Sequence, residues 1–100
     1  MIRLLAVLLL VLVLTFMSAA LLPSPGHLIG GHDIRGQFLS WWTTAREALR
    51  EGCLPLWDPY QYAGYPFFSN PQVGLYYPPA WLAIASPRIG ASWYVILHLW

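Results

Sequence analysis

The sequence contains no lysine, and its five arginines are scattered rather than clustered. Nothing therefore resembles a nucleic-acid-binding surface, and the net charge of +1 points to no polyanionic partner. Charge of either sign is scarce: 9% of residues are charged, against about 25% in ordinary soluble domains. A single cysteine, Cys53, excludes an internal disulfide framework. Acidic residues are so few that Asp33 stands alone before Glu47.

Apolar and aromatic side chains fill the space that charge leaves. The chain is 58% hydrophobic, with six Trp, six Tyr and four Phe, almost all beyond position 37. Rings with one wet edge gather at lipid headgroups, so the composition is that of a membrane protein. A chain of 100 residues makes at most one small domain. After Met1-Ile2-Arg3, the run from Leu4 to Leu22 is apolar except for Thr15 and Ser18. As a helix it measures about 28 Å, close to the roughly 30 Å of bilayer hydrocarbon. Arg3 and the terminal amine favour a cytoplasmic N-terminus. The competing reading is a signal peptide cleaved near Met17-Ser18-Ala19-Ala20, giving a small secreted protein. In either case residues 23–88 are expected to be extracytoplasmic.

Pro23-Ser24-Pro25-Gly26 ends the first helix. Ile34, Phe38, Trp41 or Trp42, Ala45 and Leu49 then recur at three- and four-residue steps, predicting an amphipathic helix over about 34–51. Glu47 and Arg50 form a permitted i,i+3 pair. Asp33 is a candidate N-cap and Gly52 a candidate C-terminal stop. With Trp at its apolar edge, such a helix is expected to lie in the membrane interface. From Leu54 to Pro79 the period gives way to prolines interleaved with aromatics, an ordered but irregular loop. Ala80–Ser86 is apolar but too short to span, and 89–100 reads as the start of a second transmembrane helix. The expected fold is thus an all-α membrane protein, with an N-terminal membrane helix over 1–22. The abrupt end at Val95-Ile96-Leu97-His98-Leu99-Trp100 suggests the N-terminal part of a larger multi-span protein.

Several blocks of this sequence resemble the bacterial YfhO-like integral membrane proteins. They are Gly31-His32-Asp33, Gln37-Phe38, Ala45-Arg46-Glu47-Ala48-Leu49-Arg50 and Leu54-Pro55-Leu56-Trp57-Asp58-Pro59-Tyr60. Gly64-Tyr65-Pro66-Phe67, Asn70-Pro71-Gln72 and Tyr76-Tyr77-Pro78-Pro79 continue the series in order. One departure is His32, which separates the glycine from an aspartate that follows it directly in the family. The resemblance implies a GT-C-type glycosyltransferase of the bacterial cytoplasmic membrane, using a polyprenyl-phosphate sugar as donor. It also implies that an acidic residue in the first extracytoplasmic loop acts as base or divalent-metal ligand, and Asp33 is the matching position. On this reading the fragment alone is inactive. The rival is a non-catalytic membrane protein that uses its aromatic loop for binding or assembly.

Asp33 could remove a proton from an acceptor hydroxyl, or it could merely cap the helix. His32, Arg35, Gln37, Asn70 and Gln72 are the candidate substrate-binding residues. Arg35 suits a donor phosphate or a lipid headgroup, whereas Asn70 and Gln72 flank Pro71 in what reads more simply as turn chemistry. His27, His32 and Asp33 form a minority metal reading whose spacing matches no ligand pattern, so no metal site is assigned. Trp41 and Trp42 could stack on a sugar or isoprenoid, with interfacial anchoring as the default. Cys53 reads as a packed thiol, and His98 has no assigned role.

Overall fold

The computed structural model describes residues 1–100 and is mostly helical, without strands. Helix α1 runs Ile2–Ala20, and none of its residues is buried. It is the one helix long and apolar enough to cross a membrane, a test that a signal sequence also passes. The chain measures 57 × 28 × 24 Å, so α1 projects from a small packed body. Thr15 Oγ1 donates to the Val11 carbonyl at 2.7 Å, which satisfies the hydroxyl inside an apolar helix. The helix stops two residues before the predicted end, because Leu22 precedes Pro23 and is pushed out of helical geometry.

Helical backbone resumes at His32 and Asp33, and a π-helical turn follows over Ile34–Phe38. Helix α2 continues from it over Leu39–Arg50. The predicted amphipathic helix is present, and the centre of its apolar stripe faces inward, whereas Leu49 at its end is exposed. Trp41 and Trp42 are 2% and 3% exposed and pack with Ala45, Phe67, Val73, Ala83, Ile84 and Ala91 in one core. This corrects the expectation that both indoles anchor at the membrane interface: α3 (Ala80–Ala85) and α4 (Pro87–Leu99) cover the face that bears them. The Trp42 indole N–H donates to the Val73 carbonyl at 3.3 Å, as a buried indole requires. At the far end, Gly52 N–H bonds to Leu49 O and Cys53 N–H to Ala48 O, a Schellman stop. Cys53 is exposed rather than packed, because that stop turns the chain outward.

The proline-aromatic segment is ordered by its own hydrogen bonds. Asp58 and Tyr65 exchange both backbone bonds at 3.0 Å, while Asp58 Oδ1 accepts from Tyr60 N–H at 2.8 Å. Asn70 Oδ1 accepts from Gln72 N–H and opens a short 3₁₀ turn, Pro71–Val73. The loop thereby delivers Phe67 and Val73, both 0% exposed, into the core beneath α2.

α3 and α4 form a tight helical hairpin. A Cβ at Gly90 would overlap the Leu82 carbonyl, so only glycine permits the two backbones to approach this closely. Further along α4, Ser92 shares a cavity with the segment following α1, and Trp100 Nε1 donates to Ser18 Oγ at 2.9 Å. α4 therefore runs back toward the final turn of α1.

Candidate functional site

Asp33 lies in the first turn of the helix, already with helical φ −67° and ψ −40°, and its side chain makes no capping hydrogen bond. A true N-cap has non-helical backbone angles and gives its side-chain oxygen to the helix. The capping role is therefore corrected: Gly31 O already accepts from Arg35 N–H at 3.2 Å, so the helix starts before Asp33. The carboxylate is exposed, and the π-turn follows it directly. Single π-turns within helices often mark functional positions.

The carboxylate borders a polar cleft of about 420 Å³, lined by His32, Asp33, Gly36, Gln37, Gln61 and Tyr62. One wall is the first turns of the helix and the other is the proline-aromatic loop. Gln61 joins them: its Oε1 accepts from Trp41 Nε1 at 2.9 Å, and its Nε2 donates to Ser40 Oγ at 3.2 Å. An indole N–H can only donate, which fixes the orientation of the Gln61 amide. Beyond it, Tyr62 (φ 52°), Ala63 (φ 58°) and Gly64 (φ 100°) run consecutively through left-handed backbone. Such geometry costs non-glycine residues on the order of 1 kcal/mol each. Gly64 N–H closes the turn on Gln61 O at 2.7 Å. A side chain at Gly64 would meet the Trp57 ring at 2.7 Å.

The structure thus brings three of the six predicted site residues, His32, Asp33 and Gln37, into one cleft. Arg35 is exposed and does not line it. Asn70 and Gln72 sit on the 3₁₀ turn outside it, where Asn70 Nδ2 also donates to Tyr65 Oη at 3.3 Å. Burial pushes the Tyr65 phenol above its ordinary range; the Asn70 bond opposes this, and the nearby Asp58 and Tyr62 add to it. Gln61 and Tyr62 escaped the sequence reading because a glutamine amid tyrosines carries no periodicity and matches no motif.

Other polar groups lie away from the cleft. His27 faces a separate cavity of about 260 Å³ near the end of α1, its Nδ1 on Pro25 O. No three His, Cys, Asp or Glu side chains converge as a metal-ligand set. Asp58 is 1% exposed, and its Oδ2 has no hydrogen-bond partner. His98 Nδ1 donates to Tyr94 O at 2.6 Å, which leaves Nε2 to accept from the Tyr77 hydroxyl at 2.9 Å. An apolar groove of about 360 Å³, lined chiefly by Leu49, Leu54, Phe68, Leu75, Trp81 and Ile84, opens near the C-terminal end of α2. No family model, curated protein or solved structure matches this chain.

Proposed function

We propose that this chain is the amino-terminal part of a multi-span GT-C-like glycosyltransferase of the bacterial cytoplasmic membrane, resembling the YfhO-like proteins. α1 anchors it with a cytoplasmic N-terminus, residues 23–88 are extracytoplasmic, and α4 leads into a second membrane helix. The reaction is transfer of a sugar from a polyprenyl-phosphate donor to an acceptor hydroxyl. The acceptor oxygen bonds to the anomeric carbon as the anomeric carbon–phosphate oxygen bond breaks. The lipid phosphate leaves, and Asp33 takes the hydroxyl proton as general base.

The observation that carries this reading is that Asp33 is spared from capping and borders a polar cleft between two walls. A base needs an accessible oxygen, and Asp33 keeps both of its own free of the helix terminus. His32 and Gln37 offer neighbouring donors and acceptors for hydroxyl groups. The cleft has no arginine lining, so the donor phosphate binds elsewhere in the full-length protein.

Replacing Asp33 by Asn in the full-length protein is expected to lower transfer by at least about 100-fold, within the usual contribution of general-base catalysis. Its membrane level should not change. Near-normal transfer at normal protein level would sink the assignment. The second reading, a non-catalytic membrane protein, draws on the apolar groove, which offers an assembly surface remote from Asp33. A membrane complex of unchanged size after Asp33→Asn, lost after Trp81→Arg, would favour it.

A further inference from the structure

We infer that the Gln61–Tyr62–Ala63–Gly64 turn is a preformed platform for a neutral sugar ring, with Tyr62 as its stacking face and Gln61 as its positioning residue. This rests on reading the cleft as a sugar-transfer site and assigns its second wall.

Conformation supplies the first argument. Tyr62 and Ala63 both take left-handed backbone, a cost that a connecting turn avoids by using glycine. The turn is held in that shape from several sides. Gln61 is tied to α2 through Trp41 and Ser40, Gly64 N–H closes on Gln61 O, and Trp57 fills the space beside Gly64. Tyr65 meets Tyr62 in a T-shaped contact, with centroids 5.9 Å apart and planes at 78°. A ring that would otherwise move freely is thus set at the mouth of the cleft, 81% exposed.

Chemistry supplies the second. One face of a pyranose presents C–H groups that lie well against an aromatic ring, and burying that apolar area is favourable. Its hydroxyls need planar amides, imidazoles or carboxylates as partners, and Gln37, His32 and Asp33 stand on the opposite wall. An anionic ligand does not suit the cleft, because its lining holds a carboxylate and no arginine. A purely apolar ligand does not suit it either, since Tyr62 is the only hydrophobic residue lining it. A neutral, hydroxyl-rich ring with one C–H face fits both walls. It comes either from the acceptor or from the sugar moiety of the lipid-linked donor.

The test uses full-length protein in lipid nanodiscs, probed by saturation-transfer NMR. The probes are methyl glucoside, methyl mannoside and methyl galactoside, and separately a short-chain prenyl-phosphate glucoside. Tyr62→Ala is expected to weaken binding of at least one probe about tenfold or more, while Tyr62→Phe stays within about twofold. Gln61→Leu should weaken the same probe. Tyr62 dependence with a free glycoside assigns the platform to the acceptor; dependence with the prenyl-phosphate probe alone assigns it to the donor sugar. If every probe binds Tyr62→Ala as it binds the unaltered protein, or none binds the unaltered protein, the proposal fails. Near-UV circular dichroism of each variant checks the fold, which an exposed ring should not disturb. If Tyr62-dependent binding holds while Asp33→Asn still transfers sugar, the platform stands and the enzymatic reading of Asp33 falls.

Discussion

Tyr65 shows how one side chain links the loop to the pH response of the whole body. Its phenol is raised chiefly by burial, with the Asn70 hydrogen bond pulling the other way and the carboxylate of Asp58 adding to the rise. A raised phenol holds its proton more tightly in the folded state than in the unfolded chain. Its contribution to stability is therefore complete below about pH 10, the ordinary tyrosine value, and is lost as pH rises through the folded value. The thermal unfolding midpoint should accordingly fall more steeply above about pH 10 in the unaltered protein than in Tyr65→Phe. Equal slopes for the two proteins would show that this phenol is not raised. Asp33 belongs to the same scale. Its identity made it a candidate, but backbone angles and the missing cap bond separate a free carboxylate from a structural one.

At the scale of elements, the α3–α4 hairpin turns on one position. Gly90 lies where a methyl group would overlap the Leu82 carbonyl, and backbone cannot move aside as a flexible side chain can. Gly90→Ala should cost about 3 kcal/mol, at the upper end of overpacking penalties. Thermal unfolding in detergent would measure it, and unchanged stability would mean that the two backbones do not approach this closely. The same hairpin explains why α2 is not free to lie on the bilayer with its indoles in the headgroups. The amphipathic stripe was plain in the spacing of Phe38, Trp41, Trp42, Ala45 and Leu49. Spacing shows that a stripe exists, but what covers it depends on α3, α4 and the loop that inserts Phe67 and Val73.

For the molecule as a whole, α1 meets the packed body at its final turn, where Trp100 bonds to Ser18, and none of its residues is buried. An all-round apolar helix gains nothing from water and transfers favourably into lipid. The expressed chain should stay with membranes through an alkaline carbonate wash and retain Met1 at its amino terminus. Removal of residues 2–20 should release it. A mature terminus beginning just after Ala20, with protein in the supernatant, would instead identify α1 as a signal sequence.

Sequence alone determined the elements whose signals are local. The apolar run gave α1, since length and composition suffice to define a membrane-length helix. The three- and four-residue spacing gave α2, Gly52 its stop, and Asn70 before Pro71 its turn, because each rests on the geometry of a few neighbouring residues. Tertiary structure decided which groups meet. Gln61 and Tyr62 join His32, Asp33 and Gln37 only because the loop folds back along α2 and Trp41 and Ser40 secure the Gln61 amide. That closure depends on partners distant in the chain, whose identities impose no period and no fixed spacing. His32, Asp33 and Gln37 could be named as candidates from the sequence; the cleft that gathers them with Gln61 and Tyr62 exists only once the chain has folded.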